Sequence, residues 1–493
     1  MFQGTGSGVG KSIVAAAFCR LLKRRGFNVA PFKAQNMALN SFVTADGNEM
    51  GRAQVFQAEG CGLAPDVRMN PVLLKPTGDA KSQVILMGKP REHLSATDYY
   101  QRSRIHWEVV KQAFDSLSRD FDVIVMEGAG SPAEINLQKT DIVNMKMAEY
   151  AGSPVIIVAD IDKGGVFAAL KGTYDLVQPE HRNLVKGFLI NKFRGDVRLL
   201  EPGIEMFARI VPVPILGVLP WFTDICVDEE DGVFVDNINS RGNSGDDIVI
   251  SVIKLPRISN FTDFSPLAHE PGVSLKLVTA PEEAGGSHIL VIPGTKATIS
   301  DLEFLRNKGW EQGFERFRKQ GVFIIGICGG YQMLGHEIKD EKGCDGSRAS
   351  SRGLGLLPVS TRMRREKTLK QVNIRILNQA LSSDAMDVTG YEIHMGTTWC
   401  IDERKKIGLG EGLGPETGVF DPDKRILGTY LHGIFENDRF RNTLLNFVRK
   451  CSGLPEQQAA FNYRQFRTKQ FDLLADWLES SCNVKRLLSL LGG

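Results

Sequence analysis

The chain has 493 residues, enough for about three domains of roughly 100–200 residues, or for two domains with appendages. Its 42% hydrophobic and 24% charged residues exclude disorder or coiled coil as a description of the whole chain. A net charge of +2 provides no global attraction for nucleic acid or an anionic membrane, so we expect neither as a partner. No apolar run reaches the roughly 20 residues that a membrane-spanning helix needs. No signal peptide opens the chain, and we expect a cytoplasmic protein.

The first part of the chain alternates short β-branched runs with helical stretches, which predicts βα units around a parallel sheet. Residues 236–247 are polar and rich in Gly, Asn, Ser and Asp, which is typical of a linker. We therefore predict a first domain over residues 1–235 and a linker over 236–247. The candidate strands are 28–32, 122–127, 154–160, 185–190 and 214–219.

The strand pattern starts again at residue 248 and predicts a second domain over residues 248–450. Polar loops are predicted at 339–352 and 402–416. Residues 451–493 carry apolar residues at helical spacing and are predicted to form a helical tail. The candidate strands of the second domain are 247–256, 273–281, 288–296 and 322–330.

A glycine-rich segment, GTGSGVGKS over residues 4–12, precedes a helical pattern that ends at Gly26. Small residues let backbone amides surround a phosphate chain, Lys11 adds a charge for the terminal phosphates, and the Ser12 hydroxyl can bind Mg²⁺. The segment therefore predicts a nucleotide site. The phosphate contacts are assigned to Gly4, Thr5, Gly8, Gly10, Lys11 and Ser12.

This loop departs from the usual phosphate-loop spacing, because five residues rather than four separate Gly4 from Gly10. It resembles the variant found in the dethiobiotin synthetase family, whose members use ATP to activate carboxylates. Three residues precede the loop, so either the start of the chain is trimmed or the strand before the loop is very short.

Two further residues are candidates for the nucleotide site. Glu127 ends a predicted strand opposite the phosphate loop, where a carboxylate can hold Mg²⁺ directly or through water. Asn191 lies in INKFRGD, which differs from the guanine-reading NKxD pattern because its fourth position is Arg194. This favours ATP over GTP, and Asn191 is a candidate contact to adenine.

A second candidate site centres on Cys328. The eight cysteines form no CxxC pair and no zinc-spaced Cys/His cluster, and seven of them are interpreted as packing residues with free thiols. Cys328 differs because it lies between glycines on a predicted strand-to-helix turn, which exposes a nucleophile. Backbone amides at Gly294 and Gly329 are candidates for an oxyanion hole. His432, in TYLHGIF, is the best candidate for the base.

The two motifs together resemble a known family. GxCGGxQ at Cys328 and LHG at His432 resemble class I glutamine amidotransferases, in the subgroup attached to corrin-ring amidases. Further stretches match the cobyric acid synthase family closely from residue 3 to about residue 450. They include PFKAQNMALNS (31–41), RMNPVLLKP (68–76), EGAGSPAEINL (127–137), RISNFTDFSPL (257–267) and GYEIHMGTT (390–398).

The resemblance implies an α/β fold with two doubly wound domains. The N-terminal domain would be a phosphate-loop domain of the dethiobiotin synthetase type and the C-terminal domain a class I glutamine amidotransferase domain. It also implies an activity in cobalamin biosynthesis, that of a carbon–nitrogen ligase with L-glutamine as the nitrogen donor. Such an enzyme amidates the b, d, e and g carboxylates of adenosylcobyrinic acid a,c-diamide, using ATP and Mg²⁺, to give adenosylcobyric acid.

The resemblance also implies roles for individual residues. Lys33 would neutralise the reacting phosphate and carboxylate, and Asp141 would orient the acceptor carboxylate or ammonia. Asp46 and Glu49 are candidate contacts to Mg²⁺ or substrate, and Asp162 is a weaker candidate of the same kind as Asp141. The predicted metal ligands are Ser12, Glu127 and Asp46.

In the amidotransferase domain Cys328 would attack the glutamine amide while His432 moves the proton. The third member of the usual triad is a Glu two residues after the His, but Ile434 stands there. Glu436 or a backbone carbonyl could orient His432, and the identity of this orienting group stays open.

Three other functions share part of this pattern. A cobyrinic acid a,c-diamide synthase shares both domain types, but NMALNS, RMNPVLLKP and EIHMGTT favour the cobyric acid enzymes. A non-catalytic phosphate-loop ATPase with an inert amidotransferase-like domain would not need Cys328 and His432. A biotin-pathway ligase would not explain the presence of the second half of the chain. The sequence gives no indication of the oligomeric state.

Overall fold

A computed structural model describes residues 1–78, 81–222, 224–226, 246–345, 350–402, 407–458 and 460–491. Its contacts divide the chain into two compact units. The first comprises Met1–Thr44, Asn48–Asp231 and Arg467–Gly493, and the second comprises Ala45–Gly47 and Gly232–Phe466. Of the predicted linker, residues 236–245 lie outside the described residues.

The first unit is built from short strands and helices of mixed length. Its strands are β1 Phe2–Gly4, β2 Val29–Phe32, β3 Gln35–Met37, β4 Ser41–Val43, β5 Glu49–Gly51, β6 Val72–Gly78, β7 Lys81–Leu86, β8 Lys89–Ser95, β9 Val123–Met126, β10 Val155–Asp160, β11 Val185–Phe193 and β12 Ile215–Pro220. Its helices up to residue 208 are α1 Lys11–Arg24, α2 Arg52–Gly60, α3 Ala96–Gln101, α4 Ser103–Asp120, α5 Met145–Tyr150, α6 Val166–Leu176 and α7 Glu201–Ala208.

The phosphate loop lies at the end of a parallel sheet. Strands β1, β10, β11 and β12 are neighbours in that order and run parallel, and every residue of β10 is buried. Such strands are apolar throughout because helices cover both faces of the sheet. An isolated parallel bridge between Phe2 and Glu127 joins β1 to the end of the β2–β9 pair. In this chain β1 spans three residues, and Glu127 lies beside it.

The first unit also contains antiparallel strands that the sequence did not predict. Strands β6, β7 and β8 pair antiparallel in one sheet, to which β3 adds in parallel beside β6, and β4 and β5 form an antiparallel hairpin. By contrast, each of the five candidate strands of the first domain corresponds to an observed one: β2, β9, β10, β11 and β12.

In its described residues the second unit contains two sheets. Its strands are β13 Ile248–Ile253, β14 Val273–Val278, β15 Ile289–Ile292, β16 Phe323–Ile327, β17 Glu337–Lys339, β18 Ser350–Arg352, β19 Val359–Ile376, β20 Met386–Cys400, β21 Gly418–Asp421, β22 Ile426–Thr429 and β23 Leu431–His432. Helices α8 Ser265–His269, α9 Thr298–Asn307, α10 Trp310–Lys319, α11 Gly329–Leu334 and α12 Asp438–Cys451 accompany them.

The main sheet of this unit has the order β14, β13, β15, β16, β22, β21, and all its pairs are parallel except that of β21 with β22. The second sheet has the order β18, β17, β19, β20, β23. Its long hairpin of β19 and β20 was not predicted, and β18 lies inside the predicted polar loop 339–352. The β20 strand pairs with β23, so it runs directly beside His432.

The C-terminal segment forms helices α13 Tyr463–Ser481 and α14 Val484–Ser489. From Arg467 onward this segment belongs to the first unit. Leu474 and Leu478 are fully buried in the core cluster that contains the apolar side of α1. Arg20 on α1 pairs with Asp472 at 2.8 Å. No helix within the described parts of the chain is long and apolar enough to cross a membrane.

Candidate active sites

The phosphate loop wraps around its own lysine. Gly8 and Gly10 have φ values of +69° and +95°, a region that favours glycine. A side chain at Gly10 would also meet the Asn191 amide nitrogen at 2.1 Å. Lys11, buried at the start of α1, donates hydrogen bonds to the carbonyl oxygens of Gly6 at 2.7 Å and Gly130 at 3.1 Å. The loop backbone thus surrounds the Lys11 ammonium, and its contacts to phosphate stay a prediction.

Glu127 is the centre of a buried polar cluster beside this loop. Its Oε1 accepts hydrogen bonds from the Ser12 hydroxyl and the Lys33 ammonium, both at 2.8 Å, and its Oε2 accepts one from Gln57 at 2.5 Å. Burial would raise the pKa of Glu127, but the charge of Lys33 and these hydrogen bonds outweigh burial and lower the pKa. Glu127 is therefore an anion at neutral pH.

Three of the predicted residues, Ser12, Lys33 and Glu127, thus lie together. Sequence reasoning missed Gln57. Gln57 ends the stretch GNEMGRAQVFQ, and nothing in this local pattern predicts that its side chain contacts Glu127.

The Ser12 and Glu127 oxygens fit the ligand preference of Mg²⁺. They are a hydroxyl and an ionised carboxylate, 2.8 Å apart. Among the residues that the structure describes, no group of three or more His, Cys, Asp or Glu side chains converges on a metal site. Mg²⁺ at nucleotide sites typically takes one or two protein groups, with phosphate oxygens and water completing its shell. The pair is sufficient for a site of that kind.

Asn191 and its neighbour support the phosphate loop from β11. The Asn191 side chain is buried and donates to the Val9 carbonyl at 2.9 Å. Lys192, with a φ of +61°, donates to the Gly8 carbonyl at 2.6 Å and pairs with Asp160 at 3.0 Å. These contacts fix the loop backbone. The contact of Asn191 with adenine stays a prediction.

Asp141 is engaged in holding a neighbouring loop. Its carboxylate accepts hydrogen bonds from the Val143 and Asn144 amides at 2.8 and 3.2 Å and from the Asn144 side chain at 2.8 Å. Asn144 in turn bonds both backbone groups of Ala129. Asp141 therefore acts on the loop around Ala129 and Gly130, whose carbonyl holds Lys11. Direct contact of Asp141 with substrate stays a prediction.

The remaining acidic candidates lie elsewhere. Asp46 is exposed in the turn Ala45–Gly47, which belongs to the second unit. Glu49 is fully buried and forms an ion pair with Lys75, while Ser41 donates to Glu49 at 2.9 Å. Asp162 pairs with Arg194 at 3.1 Å near the surface. The role of these three residues at magnesium stays a prediction.

Cys328 occupies the strained turn that the sequence predicts. It lies between β16 and α11 with a φ of +52°, which a non-glycine residue rarely adopts. The adjacent glycines allow this turn to pack tightly, since a side chain at Gly330 would meet the Ile292 carbonyl at 2.0 Å. The turn holds the sulfur beside β20, with Sγ 3.6 Å from the Ile393 carbonyl.

His432 lies beside Cys328 and is oriented by Asp263. Its Nδ1 is 2.7 Å from Asp263 Oδ2, and the other carboxylate oxygen accepts the Gly433 amide at 2.9 Å. Burial lowers the pKa of His432, but the charge and hydrogen bond of Asp263, with a smaller contribution from Cys328, raise it to about 10. Its Nε2 has no hydrogen-bond partner among the described residues. That nitrogen is available for proton transfer at the thiol.

Asp263 is the orienting residue that the sequence left open. It lies 169 positions before His432, in RISNFTDFSPL, and only the folded chain brings the two together. Gly294 and Gly329 lie at adjacent turns of the same site. A side chain at Gly294 would meet His432 Cε1 at 3.3 Å, and one at Gly329 would meet the Thr295 methyl at 2.7 Å. The structure thus brings together all four residues predicted for the thiol site.

Comparison with known proteins agrees with this arrangement. A family model described as a CobB/CobQ-like glutamine amidotransferase domain matches residues 249–440. One described as a CobQ/CobB/MinD/ParA nucleotide binding domain matches residues 1–233. These two domains define a glutamine-dependent carbon–nitrogen ligase, as the sequence predicts.

Curated relatives match over the full chain. The cobyric acid synthase of Thermoanaerobacter sp. (strain X514) is 46% identical, covering 100% of this chain and 98% of its own. The enzymes of the same name from Caldanaerobacter subterraneus and Salmonella arizonae are 45% and 46% identical with the same coverage. The chain therefore belongs to the cobyric acid synthase family. This confirms the family and the two-domain α/β fold predicted from the sequence.

Proposed function

We propose that the protein amidates the b, d, e and g carboxylates of adenosylcobyrinic acid a,c-diamide, using ATP and ammonia from L-glutamine, to give adenosylcobyric acid. The single observation that carries this proposal is the full-length match to relatives named cobyric acid synthase. The side-chain geometry of the two candidate sites supports the two half-reactions separately.

The first half-reaction releases ammonia at Cys328. An imidazolium at His432 stabilises negative charge on the neighbouring sulfur, which attacks the glutamine amide carbon. The Gly294 and Gly329 amides are proposed to hold the oxyanion that forms. The Nε2 proton of His432 then goes to the departing nitrogen, which leaves as ammonia. Water hydrolyses the glutamyl thioester to glutamate, and His432 takes up the proton of that water. Asp263 keeps Nε2 directed at the sulfur throughout.

The second half-reaction activates the carboxylate of the acceptor. A carboxylate oxygen is a poor leaving group, so we propose that ATP converts it to an acyl phosphate that ammonia displaces. Lys11 binds the terminal phosphates, and Lys33 offsets the charge of the phosphate and of the approaching carboxylate. Ser12 and Glu127 would hold Mg²⁺, which when bound neutralises phosphate charge. Gln57 keeps the Glu127 carboxylate in place.

The test is incubation with the a,c-diamide, ATP, Mg²⁺ and glutamine, followed by product masses. Each amidation replaces an oxygen by an NH group, so the four steps are countable. The proposal predicts a product with all four groups converted and one glutamate released per amide. An unchanged a,c-diamide, together with amidation of the a and c groups in a parallel incubation with cobyrinic acid, would identify an a,c-diamide synthase. Absence of both glutamate release and corrinoid conversion would identify an inert scaffold.

A further inference from the structure

We propose that Glu392 binds the α-ammonium group of the glutamine substrate. The inference rests on the proposed glutamine-dependent function and assigns a part of the glutamine site to residues of β20. It is carried by a buried carboxylate that is only half satisfied, next to the nucleophile.

Glu392 is 1% exposed, yet its carboxylate is unevenly paired. Oε2 is 3.1 Å from the Lys370 ammonium and 3.3 Å from His394 Nε2. Oε1 is buried and has no hydrogen-bond partner among the described residues. Lys370, its partner across the β19–β20 pair, keeps about half of its side chain exposed. The protein thus supplies donors for one oxygen and leaves the other for a different group.

A buried carboxylate oxygen without a donor is costly, since the ion loses water and gains nothing in return. The cost is removed if a ligand brings a cationic donor. A ligand ammonium fits this requirement because it has three N–H donors and a full positive charge. Oε1 therefore indicates the chemical class of the ligand, which is a primary ammonium group.

The position of Glu392 shows which ammonium this is. The next residue along the strand, Ile393, offers its carbonyl to the Cys328 sulfur at 3.6 Å. The residue before it, Tyr391, pairs with His432 across β23 and stacks on its ring. The backbone of Glu392 thus lies one residue from contacts to both groups that react with the glutamine amide, and its side chain shares a face of β20 with His394.

His394, which contacts Glu392, connects this carboxylate to α11, the helix that follows Cys328. Its ring stacks on Tyr430 with centroids 3.8 Å apart. The Tyr430 hydroxyl accepts a hydrogen bond from Gln332 at 3.1 Å, and Gln332 follows Cys328 by one helical turn. Buried contacts thus lead from Glu392 through His394 and Tyr430 to the helix that follows Cys328. Glutamine is the substrate of the proposed reaction that carries an ammonium group, so Glu392 is assigned to it.

The experiment compares two substrates and three proteins. Glutamate or glutarate release is measured with L-glutamine and with 4-carbamoylbutanoate, which is glutamine without its amino group. The proteins are the wild type, Glu392→Gln and the control Glu366→Gln, a glutamate exposed on β19. Ammonia-driven amidation and thermal melting report whether each protein is folded.

Loss of one charged contact is expected to lower kcat/KM for glutamine about 10- to 100-fold in Glu392→Gln, mostly through KM. The same variant should hydrolyse 4-carbamoylbutanoate as well as the wild type does. Glu366→Gln should match the wild type with both substrates. If Glu392→Gln does not fold, Glu392→Asp, which keeps the charge on a shorter arm, should show a smaller loss confined to glutamine.

Two results would overturn the inference alone. One is a wild type that uses both substrates with similar kcat/KM, and the other is an equal loss with both substrates in Glu392→Gln. The second result would indicate that Glu392 contacts the released ammonium or shapes the thiol site instead. A wild type that releases no glutamate at all would overturn the proposed function itself, so the two failures are distinguishable.

Discussion

The pair of Asp263 and His432 determines the protonation state of the thiol site. Burial and the neighbouring carboxylate act in opposite directions on His432, and the carboxylate prevails, raising the pKa to about 10. At neutral pH the ring therefore carries a proton that it can give to the departing nitrogen. The Gly433 amide fixes the other Asp263 oxygen, so the carboxylate cannot rotate away.

The first prediction concerns this carboxylate. Asp263→Asn should lower the rate of glutamine hydrolysis roughly 10²- to 10⁴-fold, because an amide cannot hold His432 in the same charge state and tautomer. Glutamate release across pH 6 to 10, as a rough window, measures the effect and should show a lower apparent pKa for the histidine. Glu436→Gln is the matched control. Full activity in Asp263→Asn with loss in Glu436→Gln would reverse the assignment.

The second prediction follows from the sign of the same pKa shift. A folded-state pKa above the unfolded value of 6.5 adds stability that is complete below 6.5 and is lost as the pH rises through about 10. The free energy of unfolding of the wild type should therefore fall relative to His432→Gln by on the order of 2–4 kcal/mol over this range. Urea titrations at several pH values measure it. A constant difference between the two proteins would contradict the prediction.

At the scale of elements, both reactive centres are strand-to-helix turns whose shape depends on glycine. The turn from β1 to α1 and that from β16 to α11 were predictable because each is a short local pattern rich in glycine that leads into a helix. The parallel strands were predictable because they too are short local patterns. Asp263 and Gln57 were not, because each reaches its partner only through the tertiary fold.

The antiparallel strands of both units could not be predicted from the sequence either. In the β19–β20 hairpin polar and apolar residues alternate over a long stretch, but the pairing register shifts after Met363. This shift interrupts the two-residue period by which a strand is recognised in a sequence. By contrast, the helical spacing of apolar residues in the C-terminal segment predicted its helices correctly. The period alone carries no signal for their packing against α1, since such contacts join residues more than 400 positions apart.

The third prediction tests that packing. Leu474→Ala on α13 should lower the free energy of unfolding of the first unit by about 2–5 kcal/mol, because a fully buried leucine leaves a cavity between α13 and α1. Thermal melting and urea titration measure the loss. The control is Leu199→Ala, since Leu199 is 83% exposed and its removal should change little. Equal stability of the two variants would show that the C-terminal helix contributes nothing to this core.

At the scale of the whole molecule, the chain assigns two kinds of chemistry to two separate sets of residues. Cys328, His432 and Asp263 belong to the second unit, and Lys11, Lys33 and Glu127 belong to the first. Release of ammonia and activation of the acceptor should therefore be separable by single substitutions.

The most direct measurement is amidation of the a,c-diamide by two variants, each supplied with glutamine or with free ammonia. Cys328→Ala should lose the glutamine-driven reaction and keep the ammonia-driven one, because the carboxylate is still activated at Lys11. Lys11→Ala should lose both, while still releasing glutamate from glutamine. If Cys328→Ala lost the two reactions equally although it melts like the wild type, the division of labour between the two sites would be contradicted.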